Sequence, residues 1–485
     1  MNLNPQYIFL FILDAVRKDH LSLYGYPRKT SPNIDKLAQQ ANIYQWAFAP
    51  SSYTLASVPS ILAGKYPIEL SNMFTANKFT VKDFENLLNL KKQGYKTAMF
   101  TANIVTSSKL TNLNEFFDFF WDNLTEKELN RKDILFQKAN VVIKAVEDFI
   151  LKNKKEKLFI VVHLMEAHGP YTPWVESIFK GDKIYKKDKR KIERVVNNMF
   201  SGANWELLKQ YKIVPRYQLL NLVEAPNGEI EDFNPNINEY IAKYDMGIYL
   251  MDKELGNFLQ FLEKKEIFDK SKIIITADHG ETMGEENIFF IHGSLTHPVL
   301  TNIPLIIKNF KQNKKNIIND NFSLIQILGN NESLKDIYIF HPQTLSFLDN
   351  NFYINIHNSE LSHNGALYQN IFATADFNFY QIIDNFIQLK QDIKIKIYKK
   401  DKKTLGFKEI KNHQHYIYSR KIIDIFINLQ RYNFKSLELK LDDQIRSLHS
   451  QLQQQQSHIQ NLETQINQQQ SHIQNLETQL NTIKS

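Results

Sequence analysis

Two apolar runs that each lead into a carboxylate constrain the fold of this chain more than any other feature. Residues 7–14 (YIFLFILD) end in Asp14, and residues 272–281 (KIIITADHGE) pass through Asp278. Short runs rich in Ile, Phe and Leu are typical of strands that lie buried in a parallel sheet. Because such strands end at the same edge of a sheet, we expect the two carboxylates to lie at that edge.

A hydroxyl-rich segment lies between these two runs. Residues 51–67 (SSYTLASVPSILAGKYP) predict a turn that leads into a helix. Two carboxylates at strand ends and one hydroxyl nucleophile are the components of a metal-assisted site for ester cleavage. The sequence therefore predicts a catalytic site that holds a divalent metal ion.

Strand-like and helix-like segments alternate through the first part of the chain. The apolar spacing predicts helices at residues 30–40, 81–92, 133–152 and 239–265. It predicts strands at residues 7–13, 95–100, 158–164, 272–277 and 304–307. This alternation indicates an α/β fold with a doubly wound, mainly parallel sheet.

The sequence predicts three domains. We assign residues 1–318 to a catalytic domain, in which the irregular segment 171–238 is an insertion that covers the site. Residues 319–435 contain short strand-like runs broken by Asn, Asp and Lys, which indicates a smaller antiparallel sheet with a packed helix near residues 421–428. Residues 436–485 form the third part.

The third part has the pattern of a coiled coil. The segment SHIQNLETQ occurs at residues 457–465 and again at 471–479, and Leu or Ile recurs at alternating spacings of three and four. This spacing is typical of a coiled-coil seam, so we expect the chain to form a homo-oligomer through its C-terminal helix. The alternative is a Gln-rich disordered tail.

The composition excludes several classes of site and partner. The chain has no Cys, which excludes disulfides, zinc–thiolate sites and a cysteine nucleophile. The net charge of +7 suits an anionic substrate. The basic stretch 183–194 lacks the interleaved aromatic residues of a nucleic-acid surface, so we interpret it as a solvated helix face. With neither a signal peptide nor a long apolar run, we expect a cytoplasmic protein without a transmembrane segment.

Five motifs, in the same order along the chain, resemble sulfatases and their relatives in the alkaline phosphatase superfamily. They are DAVRKDHLSLYGYPRKTSPNIDKL at residues 14–37, ILAGKYP at 61–67, EAHGPYTP at 166–173, TADHGE at 276–281 and IPLII at 303–307. The resemblance covers about the first 310 residues and implies the fold of that superfamily, an activity on phosphate or sulfate esters, and a metal cofactor.

The resemblance identifies Thr54 as the nucleophile, because the family's nucleophile lies ten residues before the glycine that corresponds to Gly64. Sulfatases have Cys or Ser there, within C/S-x-P-x-R, whereas this chain has Thr54, Ala56 and Val58. Threonine is not converted to formylglycine, and relatives that act on phosphate esters use an unmodified Thr or Ser. A structural alternative for Thr54 is the N-cap of the following helix. Other hydroxyl candidates are Ser51, Ser52 and Ser57.

The resemblance also implies one divalent metal ion bound by Asp14, Asp278 and His279. Sulfatases usually have a second acidic residue where this chain has Ala15, and Asp-Asn where it has Asp278-His279. An imidazole ligand favours manganese or zinc over calcium, which prefers oxygen ligands.

Four further residues are candidates for the site. His168 corresponds to the histidine that contacts the ester or protonates the leaving group, and His292 to a residue that binds the anion. Arg17 is a helper near the metal, or else a structural partner of Asp19. Asn103 lies in the region where the family has an active-site lysine. We expect His163, on a buried strand, to pack in the core and not to bind metal.

Two hypotheses of function follow from these residues. The first is a metal-dependent hydrolase or transferase that acts on phosphate esters, in preference to sulfate esters, of a glycan-linked or lipid-linked substrate. The second is a catalytically inactive module that assembles partners through its coiled coil. The intact set of metal-ligand positions favours the enzyme.

Overall fold

The computed structural model describes part of the chain. The described residues are 5–70, 78–122, 137–169, 171, 176–179, 237–283, 285, 292–293 and 297–329, together with strands between 337 and 409. They all belong to the first of two compact units, Met1–His415. The coiled coil, the helix near 421–428 and most of the insertion 171–238 lie outside the described residues and stay predictions.

An eight-stranded sheet forms the centre of the described structure. Its order is β4-β3-β5-β1-β6-β7-β2-β8. The strands are β1 (Tyr7–Leu13), β2 (Asn42–Phe48), β3 (Tyr95–Thr101), β4 (Phe119–Trp121), β5 (Lys157–Leu164), β6 (Ser271–Thr276), β7 (Asn302–Lys308) and β8 (Asn316–Ser323). The five strands predicted from sequence are all present, whereas β2, β4 and β8 were not predicted.

Strand direction agrees with a mainly parallel sheet. Strands β4, β3, β5, β1 and β6 are parallel to one another, and β2 is parallel to β8. Only β7, of these eight strands, runs in the opposite direction, between β6 and β2. The sheet is therefore mixed, and β1 lies at its centre between β5 and β6.

Six α-helices are present in the described part of the chain. They are α1 (Pro32–Leu37), α2 (Thr54–Ala63), α3 (Glu85–Lys92), α4 (Ala139–Lys152), α5 (Ile237–Lys264) and α6 (Pro298–Thr301). The long helix α5 contacts α1 and α4, α2 contacts α3, and the short α6 contacts β7. Phe258 of α5 packs edge-on against Phe9 and Phe11 of β1, which places α5 over the centre of the sheet. None of these helices is both long enough and apolar enough to cross a membrane.

Further along the chain the strands are antiparallel, as the sequence pattern predicts. A five-stranded sheet has the order β15-β14-β11-β10-β9, and β12 pairs with β13 in a separate hairpin. These strands are β9 (Ile337–His341), β10 (Thr344–Asp349), β11 (Phe352–Asn358), β12 (Tyr380–Ile383), β13 (Phe386–Leu389), β14 (Ile393–Asp401) and β15 (Gly406–Glu409).

A close approach between α5 and the loop after β5 depends on a glycine. A Cβ atom built on Gly247 would lie 2.1 Å from the carbonyl oxygen of Glu166. Backbone atoms on both sides leave little room for relaxation, so a side chain here would push the helix away from the loop. This contact fixes the loop that carries His168.

We predict that Gly247→Ala lowers the free energy of unfolding by about 1–3 kcal/mol, because the overpacking outweighs the helix preference of alanine. Chemical denaturation measures the change. The exposed Gln260→Ala on the same helix is the control and is expected to leave the stability nearly unchanged. An unfolding free energy that rises in Gly247→Ala would contradict the close contact.

A buried carboxyl group caps the start of α4. Glu166 Oε1 accepts a hydrogen bond from the backbone amide of Ala139. Its Oε2 has no hydrogen-bond partner among the described residues. Burial, only partly offset by backbone hydrogen bonds, raises the pKa of Glu166 to about 7. The carboxyl group of Glu166 therefore stays protonated in the folded protein at pH values at which it is ionised in the unfolded chain.

This raised pKa predicts a stability that falls with pH. The contribution of Glu166 is fully present below its ordinary pKa of 4.5 and is lost as the pH rises through about 7. We expect Glu166→Gln, which keeps an acceptor for Ala139, to remove this loss. Relative to that variant, the wild type should lose on the order of 3 kcal/mol between pH 4.5 and pH 8, measured by urea denaturation. The exposed Glu263→Gln is the matched control and should keep the pH dependence of the wild type. If the stability of Glu166→Gln depended on pH as strongly as that of the wild type, the prediction would be contradicted.

Candidate functional site

The sheet order brings the two predicted carboxylates together. Asp14 directly follows β1, and Asp278 lies two residues beyond the neighbouring strand β6. Asp14, Asp278 and His279 are fully buried, and one ligand atom from each lies within 4.8 Å of the others. The edge of the sheet thus forms the three-residue cluster that the sequence predicts.

One oxygen of Asp278 is held by backbone amides. Its Oδ1 accepts hydrogen bonds from the amide of Ala15, at 3.2 Å, and from the amide of His279, at 3.0 Å. Ala15 has a φ of 58°, a left-handed conformation that is uncommon for a residue with a Cβ atom. The turn after β1 thereby aims an amide at the end of β6.

The imidazole of His279 has a defined tautomer. Its Nδ1 lies 2.9 Å from the carbonyl oxygen of Gly280, which only accepts hydrogen bonds, so Nδ1 carries the proton. The lone pair of Nε2 then faces Asp278 Oδ2 at 3.4 Å and Asp14 Oδ1 at 3.8 Å. Three electron-rich atoms converge on one point.

Two of these atoms have no hydrogen-bond partner in the described part of the chain, Asp14 Oδ1 and Asp278 Oδ2. A buried carboxylate oxygen without a donor costs free energy unless a cation compensates it. The donor set of two carboxylates and one neutral imidazole therefore fits a divalent metal ion.

Thr54 is the first residue of α2, and its hydroxyl faces this cluster. Its Oγ1 lies 3.1 Å from His279 Nε2 and 3.3 Å from Asp14 Oδ2. The N-cap of α2 is Tyr53, so the structural alternative for Thr54, an N-cap role, does not hold. The hydroxyl is buried at the N-terminus of a helix, where a negative charge is stabilised.

The alternative hydroxyls are placed differently. Ser57 Oγ donates a hydrogen bond of 2.7 Å to the backbone carbonyl of Asp278 and so supports the cluster from behind. Ser52 Oγ is buried without a hydrogen-bond partner among the residues described here. Ser51 is buried as well. Among these hydroxyls, that of Thr54 contacts both Asp14 and His279.

A row of three imidazoles continues from the cluster. The ring of His292 stacks on that of His279, with centroids 4.2 Å apart, and the ring of His168 lies 4.8 Å from that of His292. His168 Nδ1 lies 2.7 Å from the carbonyl oxygen of Gly169. His292 Nδ1 faces Glu281, whose Oε2 also accepts a hydrogen bond from the Tyr171 hydroxyl. The sequence indicated His168 and His292 but not Glu281, the carboxylate that contacts His292.

Arg17 forms the ion pair that the sequence offered as its structural alternative. Its guanidinium donates two hydrogen bonds to Asp19, at 2.9 and 2.8 Å. Nη1 also contacts Glu285, at 2.9 Å, and the carbonyl oxygen of Glu281, at 3.0 Å. Arg17 therefore joins the turn after β1 to the loop after β6, and its role as a substrate helper stays a prediction.

Two neutral side chains hold Asp14 from behind. Asn103 Nδ2 donates to Asp14 Oδ2 at 2.7 Å, and His163 Nε2 lies 3.0 Å from the same oxygen. His163 is buried on β5, as expected, but it contacts Asp14 and is not a simple core residue. The one signal in the sequence was a polar side chain within a fully apolar strand.

These contacts keep Asp14 ionised. Burial on its own would raise the pKa of Asp14, but the hydrogen bond from His163 and the electrostatic effect of the neighbouring imidazoles outweigh it. The pKa of Asp14 therefore lies well below its usual range. An ionised carboxylate is the form that binds a metal ion.

Comparisons with known proteins find relatives of this chain. The sulfatase family model matches residues 6–329. Phosphoethanolamine transferase EptA of Helicobacter pylori is 23% identical over 360 residues, which cover 72% of this chain and 57% of that protein. Iduronate 2-sulfatase of Mus musculus is 23% identical over 336 residues, which cover 62% of this chain and 58% of that protein. The chain spans less than two thirds of the length of the curated relatives that it matches.

The fold is similar to that of a solved hydrolase structure. Phosphonate monoester hydrolase of Agrobacterium radiobacter superposes with a TM-score of 0.54 at 12% identity, and the match covers 88% of this chain and 96% of that chain. At this identity the likeness shows the fold alone. Because the family model spans about two thirds of the chain, including every residue that the sheet edge brings together, the protein belongs to the sulfatase family.

Proposed function

We propose that this protein is a metal-dependent hydrolase or transferase that acts on phosphate esters, in preference to sulfate esters, with Thr54 as its nucleophile. The observation that carries the proposal is the position of Thr54 Oγ1, which lies 3.1 Å from His279 Nε2 and 3.3 Å from Asp14 Oδ2. It therefore adjoins the cluster in which Asp14 Oδ1 and Asp278 Oδ2 lack partners among the described residues. A buried hydroxyl next to such a cluster is the arrangement of an activated nucleophile.

The metal ligands in this proposal are Asp14, Asp278 and His279, with the Thr54 oxygen beside them. One oxygen of Asp278 is held by amides, and one oxygen of Asp14 is held by side chains, so each carboxylate offers a single oxygen. Three protein ligands that include an imidazole favour manganese or zinc over calcium. A bound divalent cation would act as a Lewis acid towards the Thr54 oxygen and the ester oxygens.

The chain's own residues perform the remaining steps. Thr54 Oγ1 releases its hydroxyl proton to solvent and forms a bond to phosphorus, while the bond from phosphorus to the leaving oxygen breaks; the product is phospho-Thr54. The amides at the N-terminus of α2 stabilise the negative charge of the group being transferred. His168 gives a proton to the leaving oxygen, and an imidazole suits this exchange near neutral pH.

Water or an acceptor hydroxyl then takes the phosphoryl group from Thr54. His292 lies between His168 and His279, so we assign it to bind the anionic group. The two curated relatives described above are a phosphoethanolamine transferase and a sulfatase, which supports either a lipid-linked or a glycan-linked ester as the substrate.

The nucleophile is tested by comparing two neighbouring hydroxyls. We predict that Thr54→Ala abolishes metal-dependent hydrolysis of a phosphate monoester such as p-nitrophenyl phosphate, with a loss of at least about 100-fold. Ser52→Ala, the matched control, should keep most of the activity. Mass spectrometry of the wild type after substrate addition should find the phosphoryl group on Thr54.

Full activity in Thr54→Ala, or a loss in Ser52→Ala alone, would overturn the role of Thr54. A wild-type protein that binds no metal and cleaves neither phosphate nor sulfate esters would instead support the inactive assembly module. The same assay with both ester classes therefore separates the two hypotheses.

The metal site is tested through stability, independently of turnover. We predict that zinc or manganese raises the melting temperature of the EDTA-treated protein, because binding to the folded state alone adds RT ln(1 + [L]/Kd) to its stability. Asp278→Asn should lose most of this rise. Asp19→Asn, which changes a half-exposed carboxylate in the Arg17 ion pair, is the control and should keep it. An equal rise in Asp278→Asn would place the metal elsewhere.

A further inference from the structure

The two oxygens of Asp14 have unequal surroundings. Oδ2 accepts hydrogen bonds from Asn103 Nδ2 at 2.7 Å, from His163 Nε2 at 3.0 Å and from Thr54 Oγ1 at 3.3 Å. Oδ1 has no hydrogen-bond partner within the described ranges and faces His279 Nε2 at 3.8 Å. The carboxylate is therefore held at one oxygen and presents the other to the cluster.

The position of His163 follows from the register of the sheet. His163 on β5 is paired with Ile12 of β1, two residues before Asp14. Its Nδ1 lies 3.3 Å from Thr106 Oγ1, which is itself 2.6 Å from Thr101 Oγ1. Because a carboxylate oxygen only accepts, Nε2 carries the proton and Nδ1 accepts from the threonine side. The ring is thus oriented from both ends.

The amide of Asn103 is oriented in the same way. Its Oδ1 accepts a hydrogen bond of 2.8 Å from the backbone amide of Val105, at the start of a short 3-10 helix, Ile104–Thr106. This contact assigns the oxygen of the amide and turns the NH₂ group towards Asp14. Asn103, in the region where the resemblance places an active-site lysine, therefore supplies a neutral donor to Asp14.

We infer that His163 and Asn103 are positioning residues that hold Asp14 by Oδ2, so that it binds a divalent cation through Oδ1 alone. The inference rests on the metal site of the proposed function and adds two residues to it. Partners that orient a metal ligand typically change metal affinity 10–100-fold when they are lost. They need not contact the metal or the substrate.

The chemistry of β5 argues against a packing role for His163. The other residues of this strand from Leu158 to Leu164 are apolar, and all of them are buried. An imidazole among them costs free energy unless both of its nitrogens are paired, and an aliphatic side chain would fill the same space without that cost. What the imidazole adds is a donor aimed at Asp14.

The inference is tested by titrating zinc or manganese into the metal-free protein by calorimetry. His163→Leu should bind the metal about 10–100-fold more weakly than the wild type. His163→Gln, which keeps an N–H donor of similar reach, should stay within about threefold of the wild type. Asn103→Leu should weaken binding in the same direction as His163→Leu. Circular dichroism establishes that each variant is folded.

Two results would overturn the inference. One is wild-type affinity in folded His163→Leu, and the other is an equal loss in His163→Gln and His163→Leu. If His163→Leu does not fold, Thr106→Val removes the hydroxyl that orients the ring while keeping its volume. That variant should bind metal several-fold more weakly, and an unchanged affinity would count against the inference.

The outcomes also separate this inference from the proposed function. A wild type that binds metal, loses affinity in His163→Leu and cleaves no ester would overturn the function and support the positioning role. A wild type that turns over phosphate esters with a metal affinity that is unchanged in folded His163→Leu would support the function and overturn the positioning role. A wild type that binds no divalent cation would overturn both.

Discussion

The burial of two adjacent carboxylates is the constraint on which the rest of the site depends. Asp14 and Asp278 are both inaccessible to solvent, and a buried charge costs several kcal/mol unless donors or a cation compensate it. In each carboxylate, hydrogen bonds from the protein compensate the burial of one oxygen. Backbone amides satisfy one oxygen of Asp278, and side chains satisfy one oxygen of Asp14. The order β5, β1, β6 is what brings these donors to the two carboxylates.

This compensation requires an unusual backbone at the turn after β1. Ala15 adopts a positive φ, which costs about 1–2 kcal/mol for a residue with a Cβ atom. The Tyr244 hydroxyl from α5 donates to the carbonyl oxygen of Ala15 at 2.6 Å and accepts from the amide of Arg17 at 2.8 Å, which holds the turn in place. In the loop after β6, a Cβ atom on Gly280 would lie 2.2 Å from the carbonyl oxygen of Val299. Both turns therefore have little freedom to move.

The sequence predicted the parts of this site that depend on local pattern. Strands β1 and β6 were visible as apolar runs, and the carboxylates at their ends followed. Strand β2 (NIYQWAF) and strand β8 (NIINDNFS) were missed because polar residues interrupt their apolar pattern. The reversed direction of β7 and the partner of His163, 149 residues away, depend on tertiary pairing that no local pattern contains. Thr54 was identified by its spacing from Gly64, but the direction of its hydroxyl depends on where α2 packs.

The charges of the site support phosphate over sulfate in the proposed function. A phosphate monoester carries a charge of about −2 near neutral pH, which is more negative than a sulfate monoester. A site for the more negative group needs fewer carboxylates or more positive charge around the metal. This chain has Ala15 where sulfatases usually have an acidic residue, the imidazole of His279 as a neutral ligand, and neutral donors behind Asp14. Each difference lowers the negative charge that an incoming phosphate dianion meets, so the balance of charge and the unmodified Thr54 favour the same substrate.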